Sequence, residues 1–312
     1  MANAYLNMLD LAKFNGSDAV VGLIEENLNV APEAKMFPAR TIKGLSFKTL
    51  HRTALPTTQF RSVNEGVNTT KSTYQNKLVE CFYLDGQMEI DVALASGDEM
   101  GTAHAQAIEA DGHMQAAILK IGTQVWYGTA GGGDAKGFQG AQDIVNTANT
   151  LDAGGTTGGT GSSVYGVRLG TKYSTLVFGN ETVLNVGDWR KQTIIRSSKE
   201  MTAWKNSLEG WIGCQWSDIN CVCRLKDATA DSGKTVTDAK LSELLSQLKW
   251  TPDYWFMNRR SLFQLQVSRS PVLSSGVPQQ VTIVSGMAPV PAESNNIPII
   301  VTDSLLSTET LS

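Results

Sequence analysis

The side chains best suited to metal binding or nucleophilic chemistry in this sequence are four cysteines and three histidines. Cys221 and Cys223 stand two apart in Asp218-Ile219-Asn220-Cys221-Val222-Cys223-Arg224, so on a strand both would face the same way. A structural zinc site needs about four ligands at suitable spacing, and Cys81, Cys214, His51, His104 and His113 all lie far off in sequence. Ordinary strand packing is the expectation for this pair. His104 and His113 are nine residues apart on a predicted helix. At 100° per residue they face opposite sides and cannot ligate together. The start Met1-Ala2-Asn3-Ala4-Tyr5 carries neither the basic nor the apolar region of a secretion signal. All four cysteines are therefore expected as reduced thiols.

Glycine-rich segments are the next candidates. Gly131-Gly132-Gly133-Asp134-Ala135-Lys136-Gly137 has a lysine in glycines, but Gly137 stands where a phosphate loop needs Ser or Thr, and a helix precedes it. The run from Gly154 to Ser163 is low in complexity and reads as mobile. No H-E-x-x-H, G-x-S-x-G or dinucleotide fingerprint occurs. Trp189, Trp204, Trp211, Trp216, Trp250 and Trp255 suit core or interface anchoring better than base stacking. Arg259, Arg260 and Arg269 are too few for a nucleic-acid stripe. No catalytic residue, cofactor or metal is expected.

Composition points to a different kind of work. Of 312 residues, 41% are hydrophobic and only 18% charged, against about 25% charged in an average soluble protein. Much of the surface is then expected to be covered by neighbouring subunits. Lys plus Arg number 26 and Asp plus Glu 30, a net charge of −4. That excludes a histone-like neutraliser of nucleic acid. The apolar run from Ala19 to Ile24 is far short of the roughly 20 residues of a membrane helix.

The elements that must position these residues follow from periodicity. Short helices are expected over 3–14 and 17–29, and an extended arm over 30–41. Met88, Ile90 and Val92 alternate with Glu89 and Asp91, a half-buried strand. Asp85-Gly86 before it reads as a hairpin turn. Ala103, Ala107, Ala110, Met114, Ile118, Ile121 and Val125 make one stripe of a helix predicted from Asp98 to Tyr127. Such a helix is about 45 Å long, and Gly128 ends it. Strands are expected over 164–169, 174–178, 211–225, 253–258 and 297–303, with an amphipathic helix through Leu241, Leu244, Leu245 and Leu248. Asn258 caps another helix that closes before Pro271.

Residues 45–84 are the most informative. Leu45–Leu55 and Lys77–Leu84 have strand composition. Of the 22 residues from Pro56 to Lys77, only Phe60, Val63, Val67 and Tyr74 are apolar. So long a loop without a core is uncommon in a compact domain, and a two-stranded hairpin is marginal alone in water. The expectation is a long hairpin lying on another molecule.

The order of these elements resembles the major capsid proteins of tailed bacteriophages, the Johnson or Hong Kong 97-type fold. Short motifs carry the likeness: Met1-Ala2-Asn3-Ala4-Tyr5-Leu6-Asn7, Phe37-Pro38-Ala39-Arg40-Thr41, Leu78-Val79-Glu80-Cys81-Phe82, Asp134-Ala135-Lys136-Gly137-Phe138, Val164-Tyr165-Gly166-Val167-Arg168, Phe256-Met257-Asn258-Arg259 and Ile299-Ile300-Val301-Thr302-Asp303. The resemblance implies an α+β fold with an N-arm at 1–40 and an extended E-loop at 41–86. A P-domain with its spine helix follows at 87–137, then an A-domain at 138–289. A C-terminal strand at 290–312 rejoins the P-domain. It implies inter-subunit contacts through Arg52, Gln59, Phe60, Arg61, Asn64, Glu65 and Asn68. It also implies hexamers and pentamers of an icosahedral or prolate head around double-stranded DNA, assembled in the host cytoplasm and held without sequence-specific binding. Because the sequence opens directly on the arm, a separate scaffolding protein is expected, with portal and decoration proteins as further partners and no membrane. The alternatives are an encapsulin-like compartment shell, a small-oligomer enzyme with a Gly-rich ligand loop, and a tail-fibre-like β protein, against which the long helix argues.

Overall fold

The computed structural model describes Met8 and residues 29–129, 131–217, 219–275 and 288–311. Apart from Met8, the two short helices expected before Val30 lie outside the described residues. Strands β1 (Ala39–Thr41), β4 (Phe82–Asp91), β7 (Ser174–Phe178), β8 (Asn185–Val186), β9 (Arg190–Arg196) and β10 (Lys199–Trp216) form one sheet, ordered β1-β7-β10-β4 with β8 and β9 also on β10. A second sheet runs β13-β14-β12-β6-β11-β5, from β5 (Thr150–Asp152), β6 (Ser162–Val167), β11 (Val222–Ala228), β12 (Tyr254–Met257), β13 (Glu293–Ser294) and β14 (Ile297–Val301). The remaining strands, β2 (Ser46–Ala54) and β3 (Thr73–Glu80), pair only with each other.

The long helix spans Thr102–Tyr127. Its start is four residues later than expected, because Asp98 is used before it: its carboxylate accepts from Met100 N and meets His104 Nδ1, both at 2.9 Å. Gly128 ends it at φ +56°, packed so closely that a Cβ there would lie 2.1 Å from Gly140 N. The apolar stripe holds only in part. Ala103 and Ala107 are exposed, while Ile121, Gly122, Gln124, Val125, Trp126 and Tyr127 are all buried. The first half leans on one side only, where Ala110, Met114 and Ala117 pack with Met88 and Leu208. The last turns are enclosed by both sheets. There Trp126 stacks on Tyr165 at 5.2 Å, and Phe37 meets Trp126 and Trp216 edge-on.

Several local expectations are corrected. Asp85 and Gly86 are not a turn; they sit mid-strand in β4, opposite Glu209 and Leu208 of β10. Val92 leaves the strand pattern and opens a short helix, Val92–Ser96, capped by Asp91. The segment after Val30 is not a plain arm, since Glu33 and Phe37 are core residues. The run 211–225 is two strands, with Cys221 in the turn between them. Cys221 and Cys223 consequently enter different core clusters, and both are fully buried. All four cysteines are free thiols. The helix Arg259–Ser275 continues through Pro271, at the cost of one ladder hydrogen bond. Asn258 does cap it, accepting from Ser261 N at 2.8 Å.

Two buried carboxylates tie the tail to the core. Glu309 accepts from Tyr127 Oη at 2.6 Å, Ser163 Oγ at 2.5 Å and Arg224 at 3.2 Å. Glu33 accepts from Trp126, Thr302 and Ser304. The closing strand β14 thus pairs with β12, while the tail after it reaches the long helix.

Candidate assembly surfaces

The hairpin is built from a clean ladder, Ser46↔Glu80 through Arg52↔Tyr74, broken by a bulge before Ala54↔Thr73. Alternation divides its side chains between two faces. Phe47 and Val79 point one way and pack with Cys81, Val177, Ile42 and Trp211 at the root. On the opposite face stand Lys48, Leu50, Arg52, Tyr74, Asn76 and Leu78, and the large apolar members Leu50, Tyr74 and Leu78 are all exposed. Burying each would be worth about 1.5–3 kcal/mol, and within the described residues nothing covers them.

Residues 55–72 join the two strands, and every one is exposed except Ser72. Gln59, Phe60, Arg61, Asn64, Glu65 and Asn68 are grouped here. Phe60 and Val63 stand fully in solvent. The tip has its own small framework: Arg61 donates to Glu65 O at 2.7 Å, Ser62 N donates to the Glu65 carboxylate at 3.2 Å, and Asn64 adopts φ +69°. Arg52 stays on β2, its guanidinium 5.7 Å from the Tyr74 ring centre. The structure therefore groups six of the seven candidates in the loop and leaves Arg52 on the strand. Leu50 and Leu78 were not singled out from sequence. The signal was present as alternation with Arg52, but the register that aligns them comes from a pairing across the long loop.

Where the hairpin leaves the body it encloses a cleft of about 880 Å³, whose lining includes Arg40, Arg52, Lys77 and Lys172. On the body, the outer face of β4 and β10 carries Tyr83, Asp85, Trp211 and Glu209. Tyr83 Oη donates to Glu209 at 2.5 Å, which pushes the phenol up to about 12. Bonds from Ser207 and Tyr83 hold the Glu209 carboxyl below its usual range.

The glycine segments serve the fold. Gln124 Nε2 lies within hydrogen-bond distance of the carbonyls of Gly128, Asp134 and Phe138, and its Oε1 accepts from Asp134 N at 2.8 Å. That locks the turn after the long helix. The second segment is pinned rather than loose: Asp231 accepts from Thr156 N, Thr157 N, Thr157 Oγ1 and Thr229 Oγ1. Bonds from Thr157 and Thr229 hold its carboxyl well below the ordinary value. Among the described residues no group of three or more His, Cys, Asp or Glu could hold a metal, and no helix is long and apolar enough to cross a membrane.

The family model described as major capsid protein GP7 matches residues 16–311. The chain belongs to that family. It is a phage major capsid protein, a component of the virion shell, in a family of structural proteins rather than enzymes. No curated protein matches it in sequence. Among solved structures, that of bacteriophage Epsilon15 aligns over 99% of this chain and 98% of its own, with a TM-score of 0.72 at 16% identity; this likeness shows the Hong Kong 97-type fold. The capsid of Myoviridae phage XM1 aligns over 68% of this chain and 96% of its own, at 10% identity and a TM-score of 0.48. The SrpI encapsulin complex from Synechococcus elongatus aligns over 72% and 96%, at 4% identity and a TM-score of 0.46. The encapsulin likeness is distant and does not favour a cargo compartment.

Proposed function

We propose that residues 46–80 of this capsid protein clasp a neighbouring copy in the shell. The observation that carries the reading is the exposed face of Leu50, Tyr74 and Leu78 on strands that pair with no other element. A hairpin of that kind gains its stability from a partner surface. In this reading residues 1–40 are the N-arm, 41–86 the E-loop, 87–137 the P-domain, 138–289 the A-domain and 290–312 the strand and tail that close the fold. Arg52, Gln59, Phe60, Arg61, Asn64, Glu65 and Asn68 are contact residues, with Phe60 an aromatic anchor.

Subunits joined head to tail close into hexamers and pentamers. The shell encloses double-stranded DNA and assembles in the host cytoplasm with scaffolding and portal proteins, to which decoration proteins add later. A net charge of −4 suits a container that must not hold its DNA tightly.

The test is a triple variant, Leu50→Ser, Tyr74→Ser, Leu78→Ser. It should remain a folded, soluble subunit with wild-type thermal unfolding, yet sediment only as small species. Particles at wild-type yield would overturn the clasp.

A further inference from the structure

Among the described residues, the lining of the cleft beneath the hairpin holds Arg40, Lys77 and Lys172 and no carboxylate; Arg52 borders it too, but its guanidinium lies by Tyr74 on the other face of the hairpin. None of Arg40, Arg52, Lys77 or Lys172 forms an ion pair with a carboxylate of the described residues. Arg40 lies over the Phe47 ring at 4.0 Å, and its buried Nε has no acceptor. Like charges facing one cleft repel unless an anion sits between them. A chain with net negative charge has gathered them here.

The complementary surface lies on the same chain. Asp85 and Glu209 are directly opposite across the β4–β10 ladder, where like charges are unfavourable. Four residues along β4 from Asp85, Glu89 is paired with both Arg196 and Lys205. Asp85 and Glu209 have only uncharged partners: Gln87 for the first, Ser207 and Tyr83 for the second. They cannot fill the cleft of their own copy. Gln215 in the cleft wall is six residues along β10 from Glu209, a span of about 20 Å at strand rise.

We propose that Asp85 and Glu209 of one copy seat against the cleft lined by Arg40, Lys77 and Lys172 of a second copy. This rests on the clasp reading and names the surface that the hairpin covers. Charge matching of this kind fixes orientation and suppresses wrong partners. It would orient each subunit around a ring.

The experiment is a charge swap followed by sedimentation velocity. Asp85→Lys with Glu209→Lys, and separately Lys77→Glu with Lys172→Glu, should each raise the concentration needed for assembly by roughly tenfold or more, with subunit unfolding unchanged. Combining all four in one chain swaps the charges at the Lys77 and Lys172 contacts, leaving Arg40 as it is, and should restore assembly in part. A cysteine pair, Glu209→Cys with Lys77→Cys, should give disulfide-linked multimers under mild oxidation, since the native thiols are buried. No rescue in the four-fold variant together with no cross-link would overturn the proposal. So would normal assembly of the Lys77→Glu, Lys172→Glu variant with lost binding of a DNA oligonucleotide, because the cleft would then serve phosphates. If the charge variants assemble normally while the Leu50, Tyr74, Leu78 variant does not, this seat is wrong and the clasp stands. If all of them assemble normally, both fall.

Discussion

Glu33 and Trp126 meet in the middle of the subunit, where the indole Nε1 donates to the buried carboxylate at 2.5 Å. Thr302 and Ser304 donate to the same carboxylate. One side chain thus joins the segment before β1, the end of the long helix and the tail after β14. These three stretches are far apart in sequence, and the contact ties them together inside the body.

Burial raises the pKa of Glu33 above its usual 4.5, against the hydrogen bonds from Thr302 and Trp126 that lower it. In the window above 4.5 the folded protein therefore binds more protons than the unfolded chain, and its stability falls as pH rises. Glu33→Gln cannot titrate. Urea unfolding of dissociated subunits across that window should show the variant gaining on the wild type as pH increases. Parallel curves would show that Glu33 keeps an ordinary pKa.

Arg224 and Glu309 form a buried pair, with side chains 7% and 6% exposed. Removing one partner of such a pair leaves a buried charge uncompensated and costs about 3–5 kcal/mol. Glu309→Gln should fall in that range, helped by weaker bonds to Tyr127 and Ser163. Arg224→Met with Glu309→Gln should cost less than the sum of the single changes, measured in a double-mutant cycle by urea denaturation. Additive losses would mean that the two groups do not interact.

Two glycines of the long helix should respond in opposite ways to alanine. A Cβ at Gly122 would lie 2.3 Å from Ser304 Oγ and 3.1 Å from the Glu33 carboxylate, whereas Gly112 has nothing within 4 Å. Gly112→Ala should stabilise the dissociated subunit by about 0.5–1 kcal/mol through helix propensity. Gly122→Ala should destabilise it by about 1–3 kcal/mol through overpacking. Thermal unfolding of both decides, and a stabilising Gly122→Ala would show that the tail is not seated on the helix.

At the loop tip, Phe60→Ser should leave subunit stability within about 0.5 kcal/mol of wild type, as for an exposed site. Particles built from it should dissociate at lower denaturant than wild-type particles. Equal particle stability in a light-scattering titration would remove Phe60 from the contact.

The long helix and the unsupported hairpin were legible because each depends on local pattern: a helical period in one, a dearth of apolar residues in the other. The paired role of Asp85 and Gly86 was not, because their ladder partners Glu209 and Leu208 lie more than a hundred residues on and the dipeptide alone favours a turn. β9 and residues 199–210 of β10 went unread for a related reason. They join through Ser197 and Ser198, both at positive φ, without the Gly or Asn that usually marks such a turn. Glu33 fell within a predicted arm, since nothing near it in sequence reveals Trp126 or Thr302. Of the proposed contact surface, the loop could be marked out by its shortage of apolar residues, and its individual residues came from the family resemblance. The cationic cleft could not, because Arg40, Lys77 and Lys172 come together only through the fold.

The most direct test is a reconstruction of the assembled particle by electron cryomicroscopy. Density for residues 46–80 should lie across a second copy, with Leu50, Tyr74 and Leu78 covered by it. A hairpin folded back on its own body, with those three side chains touching no neighbour, would contradict the clasp.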